Sequence, residues 1–170
     1  MNTLRKIWCR TYQTAFRVAL PLLPYREPKL LENMDTVADL LAGKGLSPVL
    51  IVTDKGISSL GLLRGLTDAL DAQGVEWRVF DEVTANPTIH NVEAARQMYL
   101  DEGCKALIAF GGGSSMDCAK ACGARIVRPK KPVQKMRGLL QVMHRLPTLI
   151  AVPTTAGTGS ETTLAAVITD

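Results

Sequence analysis

Three stretches of the chain carry residue types that can hold an anion or a sugar. Gly111, Gly112 and Gly113 are followed by Ser114; Thr154, Thr155 and Thr158 stand among glycines; and Asp54 directly follows an apolar run. Consecutive glycines leave no Cβ to keep a diphosphate away from the backbone, so unpaired N–H groups can reach its oxygens. Threonine hydroxyls on bare backbone can hold phosphate or ribose oxygens and let the chain approach a flat ring. A carboxylate at a strand end can accept both hydroxyls of a ribose and repels a 2′-phosphate, which favours NAD over NADP. Each stretch also has a plainer reading, as a tight turn, a loop turn, or a helix cap or turn residue.

The spacing excludes two familiar phosphate cradles. A Walker loop closes on Lys-Ser or Lys-Thr, but the nearest lysine, Lys120, lies well inside the helix expected after the glycines. The Rossmann fingerprint wants glycine where Met116 stands, and its ribose-binding acid follows the glycines by about twenty residues, whereas Asp54 comes long before them. The acid and the glycine turn therefore belong to a different ordering of strands. Cys9, Cys104, Cys118 and Cys122 form no C-x-x-C pair and read as small buried residues in a reducing compartment. His90 and His144 lack metal-ligand spacing and read as surface residues.

Elements at regular intervals position these stretches. Apolar runs at 49–52, 75–80, 106–110 and 148–152 predict strands, and 164–169 a further one. Helices are expected at 35–42 and at 58–72, the latter with Leu60, Leu63, Leu66 and Leu70 on one stripe. Another is expected at 88–102, introduced by Asn86 and Pro87, and another at 115–126, capped by Ser114 or Ser115 with Asp117 in its first turn. This alternation makes an α/β fold, a parallel sheet flanked by helices with right-handed crossovers. Ligands in such sheets sit at the carboxyl ends of the strands, where Asp54, the glycine turn and the threonine loop all fall.

Of the 170 residues 46% are hydrophobic and 21% charged, as in a globular chain, and no window approaches the ~18 uninterrupted apolar residues of a membrane span. Arg5, Lys6, Arg10, Arg17 and Arg26 have no acid among them, so the rest of this +4 chain is close to neutral, which argues against nucleic-acid binding. Residues 1–28 read as a basic amphipathic arm and linker, with Leu4, Ile7, Trp8, Thr11 and Ala15 on one side and Pro21, Pro24 and Pro28 at its end. A packing arm is one reading and an organelle-import sequence another. Residues 29–170 read as the dinucleotide-binding domain. A second basic tract, with Arg125, Arg128, Lys130, Lys131, Lys135, Arg137 and Arg145, reads as a solvated face or subunit contact, with a phosphate patch as the alternative.

G-G-G-S-S-M-D-C-A-K at 111–120 and P-T-T-A-G-T-G-S-E-T-T at 153–163 resemble the two signature stretches of the iron-containing (group III) alcohol dehydrogenases. V-T-D-K at 52–55 and N-P-T at 86–88 fall in that family's order, and the resemblance covers residues 48–170. The family's early F-G-x-G-like turn is replaced by P-K-L-L-E-N-M-D at 28–35.

The resemblance implies the dehydroquinate synthase-like fold of that family's N-terminal domain. In the family an all-helical domain follows and holds a divalent metal, iron or sometimes zinc, through one Asp and three His; that domain is expected beyond Asp170. By similarity Asp54 would hold the adenosine ribose, Asn86 would lie near the cofactor, and Gly111, Gly112, Gly113 and Ser114 would bind the diphosphate. Thr154, Thr155, Thr158 and Thr163 would line the nucleotide, and Asp117 would support the nicotinamide side. No catalytic residue and no metal ligand is expected within residues 1–170. The implied function is the NAD-binding part of a cytoplasmic dehydrogenase, with a homodimer allowed, that passes hydride between a primary alcohol or aldehyde and NAD. The alternatives are a non-catalytic nucleotide-binding or interaction module, and a relative of the glycerol dehydrogenases or sugar-phosphate cyclases.

Overall fold

Two continuous apolar runs, V-L-I-V and A-L-I-A-F, become the centre of one parallel sheet. β1 (Val49–Val52) and β3 (Ala106–Gly111) are buried at every residue, and β2 (Trp77–Phe80) and β4 (Thr148–Pro153) flank them in the order β2-β1-β3-β4. A strand covered on both faces has no solvent side, so its sequence does not alternate. Val49 pairs with Trp77 on one side and Ala106 on the other, and Ala106 in turn pairs with Thr148. From β1 the chain crosses to β2 on one side and then to β3 on the other. The carboxyl ends of β1 and β3 thus form a topological switch point.

The computed structural model describes residues 28–138 and 141–170, with Arg10, Thr11, Gln13 and Thr14 before them. The chain divides into two units, Met1–Leu30 and Leu31–Asp170. In the first unit those four residues are helical and exposed; Leu4, Ile7, Trp8 and Ala15, which carry the expected amphipathic arm, lie outside the described residues, as does Cys9. Among the described residues no helix is long and apolar enough to cross a membrane.

Helices cover both faces of the sheet. On one, α1 (Met34–Gly43) and α3 (Arg64–Ala72) bring Val37, Leu41, Leu66 and Leu70 into a core with Val49, Ile51, Ala106 and Ile108. On the other, α4 (Ile89–Asp101) and α5 (Gly113–Val127) bring Val92, Ala95, Met116 and Cys122 into a core with Leu50, Val52, Leu107 and Ala109. Successive residues of each central strand therefore feed opposite cores, and each buried Leu or Ile contributes roughly 1.5–3 kcal/mol. A capping box opens α4: the Asn91 amide donates to Thr88 Oγ1 and the Thr88 amide to Asn91 Oδ1.

The structure corrects several local expectations. The helix expected at 58–72 is two, because α2 (Lys55–Ser59) gives way to a turn at Gly61, whose φ of 68° no right-handed helix accommodates. Leu60 consequently leaves the stripe and is 75% exposed, while Leu63, Leu66 and Leu70 stay buried. The strand expected from 75 begins at Trp77, with Val75 buried in the turn before it. Residues 164–169 form no strand. Only Thr169 makes a bridge, to Thr88, and Leu164 and Val167 are exposed. An apolar run becomes a strand only where a sheet edge offers it a ladder, and here the Val167 amide goes to the Asp117 side chain instead. Arg125, expected on the basic surface, is buried. Its guanidinium meets the Glu93 carboxylate and turns Nη1 to the carbonyls of Arg128, Pro129 and Lys131, so each of its nitrogens has a partner inside the protein.

Candidate functional site

The start of α5 differs from its expected form. Gly112, not Ser114 or Ser115, occupies the cap position, no side chain bonds the first amides, and Asp117 falls beyond the first turn. A serine cap satisfies one of the amides that every helix start leaves open; a glycine cap leaves them, and the positive end of the dipole, to another group.

Around that start the chain comes close on three sides. Gly111 closes β3 at φ 144°, and a Cβ there would stand 2.6 Å from Ser115 Oγ and 3.6 Å from Asp54 Oδ2. On Gly112 a Cβ would meet Thr155 Oγ1 at 3.2 Å, and on Gly113 it would meet Ser160 Oγ at 3.1 Å and Thr158 Cβ at 3.6 Å. The Thr154 amide donates to the Gly111 carbonyl at 2.9 Å, which draws the threonine loop over the glycine turn. Asn86 takes a left-handed φ of 57°, which asparagine tolerates, and its amide donates to Ser114 Oγ at 3.3 Å.

Asp54 lies far from the glycines in sequence and beside them in space, because β1 and β3 are neighbours. Its Oδ1 caps α2 by accepting from the Ile57 amide at 3.1 Å, which leaves Oδ2 as the oxygen turned toward Gly111. An open groove of about 500 Å³, lined by Lys55, Asp81, Glu82, Val83 and Thr84, begins at the next residue.

Asp117 and Thr163 belong to a second contact, further along α5. Asp117 Oδ2 accepts from the Val167 amide at 3.0 Å, and Lys120 Nζ donates to Thr163 Oγ1 and to the Ala165 carbonyl, each at 3.0 Å. The structure thus gathers Asp54, Asn86, Gly111, Gly112, Gly113, Ser114, Thr154, Thr155 and Thr158 at one edge of the sheet and sets Asp117 and Thr163 along the helix that leaves it.

Ser115, expected only as a possible cap, and Ser160 and Lys120, which lie within the motifs without an expected role at the site, all belong here. Ser115 Oγ is buried without a hydrogen-bond partner. An orphaned hydroxyl beside an uncapped helix start and a turn without Cβ atoms fits the oxygens of a diphosphate. A metal does not fit: among the described residues no three of His, Cys, Asp and Glu come together to hold one, and His90 and His144 are exposed. Cys104, Cys118 and Cys122 are free and buried, and burial pushes their thiols up, to about 11 for Cys104 and about 12 for Cys118. They pack the core as protonated thiols and are poor nucleophiles.

The protein-family model for iron-containing alcohol dehydrogenases matches residues 31–170. The chain belongs to that family. The choline dehydrogenase of Bacillus subtilis (strain 168) is 40% identical over 132 residues, which cover 76% of this chain and 33% of the relative. The lactaldehyde reductase of Escherichia coli (strain K12) is 38% identical over 135 residues, 79% of this chain and 35% of the relative. Among solved structures, an alcohol dehydrogenase from Oenococcus oeni matches with a TM-score of 0.78 at 33% identity, over 86% of this chain and 40% of its own. The sulfoacetaldehyde reductase from Bifidobacterium kashiwanohense, solved in complex with NAD+, matches with a TM-score of 0.75 at 30% identity, over 87% and 40%. The chain spans about a third of the length of these curated relatives. Over that part, its parallel sheet between two helical layers is an iron-containing alcohol dehydrogenase fold.

Proposed function

We propose that this chain is the NAD-binding part of an iron-dependent alcohol dehydrogenase, an enzyme that passes hydride between a primary alcohol or aldehyde and NAD. The observation that carries this reading is the uncapped start of α5 at the switch point, where three glycines, an orphaned serine hydroxyl and a carboxylate oxygen face one another. The relatives' names, a lactaldehyde reductase and a sulfoacetaldehyde reductase among them, support a small alcohol or aldehyde as substrate. Three free thiols suit a reducing compartment such as the cytoplasm.

NAD, when bound, supplies the ring that takes up hydride. The chain's own residues bind and orient it. Gly111, Gly112 and Gly113 let the diphosphate reach the amides of α5, and Ser114 adds a hydroxyl. Asp54, already fixed as the cap of α2, offers its free oxygen to the adenosine ribose. Asn86 supports the turn through Ser114, and Thr154, Thr155 and Thr158 form the opposite wall. Thr163, held against α5 by Lys120, lines the nucleotide with them, and Asp117, further along α5, supports the nicotinamide side.

Calorimetry of NAD and NADP on the full chain, without added metal, tests this. Saturable NAD binding is expected, with NADP weaker. Gly112→Val puts a branched side chain against Thr155 and into the space where the backbone must meet the diphosphate, and should weaken NAD roughly 10- to 100-fold with the circular dichroism unchanged, since overpacking costs about 1–3 kcal/mol. Asp54→Asn keeps the cap of α2, because asparagine caps as well as aspartate, and should narrow the preference for NAD over NADP. A folded Gly112→Val variant that binds NAD like the wild type would sink the reading.

A further inference from the structure

Gly113, Asp117 and Lys120 stand at the i, i+4 and i+7 positions that put side chains on one face of α5. Residues 158–167 run along that face and touch it at each position. At Gly113 the neighbours are Thr158 and Ser160; at Asp117 the carboxylate takes the Val167 amide; at Lys120 the ammonium takes Thr163 Oγ1 and the Ala165 carbonyl. The segment has no helix or strand of its own beyond turns in which the amides of Thr162 and Thr163 donate to the Gly159 carbonyl. Its placement therefore depends on these side chains.

The geometry also says what holds Lys120. An ammonium has three N–H bonds. Two go to Thr163 and Ala165, and Asp117 Oδ1, buried without a hydrogen-bond partner of its own, lies 3.7 Å from the ammonium as its ion-pair partner. The side chain is only 14% exposed, and that of Asp117 13%, so the pair is largely shielded from water. Burial draws the ammonium's pKa down, against the pull of Asp117 and Glu161. Thr163 Oγ1, which accepts from Lys120, has one proton of its own to donate, and the Ala165 carbonyl at 3.3 Å and the carbonyl of Ser160, the residue that covers Gly113, at 3.5 Å share it.

We infer that Lys120 is a positioning residue: with Asp117 it clamps residues 163–167 onto α5 and so sets how the loop carrying Thr155, Thr158 and Ser160 closes over Gly112 and Gly113. Its consequence for cofactor binding rests on the proposed function above. The clamp itself does not.

The test compares wild type, Lys120→Met and Lys120→Arg as full chains, by amide hydrogen exchange and by NAD calorimetry. Lys120→Met keeps the length of the stem and loses the donors, so the amides of Thr162, Thr163 and Val167 should lose about tenfold or more of their protection, with β1 and β3 unchanged. NAD should bind about tenfold more weakly, and Lys120→Arg, which keeps charge and donors, should recover most of both losses. The inference is overturned if Lys120→Met leaves the loop amides protected, if Arg and Met behave alike, or if the loop loosens while NAD affinity stays put. A wild type that binds no NAD overturns the proposed function instead, and the exchange data then decide the clamp alone.

Discussion

The glycine turn and the loop that covers it use the same residue type for different physical reasons. Gly157 and Gly159 have φ values of 90° and 63°, and a Cβ on either would find nothing within 4 Å. Gly112 and Gly113 need no such conformation, yet a Cβ on either would press on Thr155 or Ser160. Gly111 has both constraints at once. In the loop, glycine is there for the shape of the backbone; in the turn, it is there because other atoms come close. Close approach is the property a diphosphate cradle requires, and only the turn has it.

Substitutions can separate these two causes. The largest effect is expected for Gly111→Ala, where a strained φ of 144° adds to a Cβ held 2.6 Å from Ser115 Oγ and 3.1 Å from its Cβ. Denaturant unfolding should show a loss of roughly 2–4 kcal/mol, and a loss below about 1 kcal/mol would mean the turn yields more easily than its geometry indicates. Gly159→Ala meets only the backbone term and should cost about 1–2 kcal/mol, with Gly159→Asn closer to wild type because asparagine visits the left-handed region. A cost matching that of Gly111→Ala would erase the distinction. The smallest effect belongs to Ser115→Ala, which removes a buried hydroxyl that has no partner and should leave stability within about 0.5 kcal/mol. In the Gly111→Ala background it should restore part of the lost stability, since it takes away the nearest atom; a double-mutant cycle with no coupling would show that the clash lies elsewhere.

The sequence alone determined the elements whose cause is local. V-L-I-V and A-L-I-A-F are too continuously apolar to be anything but strands with no solvent face, and both lie at the centre of the sheet. Asn86, Pro87 and Thr88 mark the start of α4 because their conformational limits travel with them. The glycine triplet and the Pro-Thr-Thr stretch were legible as a pair of motifs, and with them the family. Tertiary structure decided what depends on a neighbour. Leu60 carries the same signal as Leu63 and faces solvent, since Gly61 breaks the helix between them. Residues 164–169 carry the apolar run of a strand, but side chains of α5 take their backbone polar groups before any sheet edge can. The cap of α5 falls on Gly112 because the backbone leaves β3 there, whatever serines follow. Asp54 meets Gly111, and Lys120 meets Thr163, only because strand pairing and helix packing bring distant residues together, and no local pattern encodes a contact across such a separation.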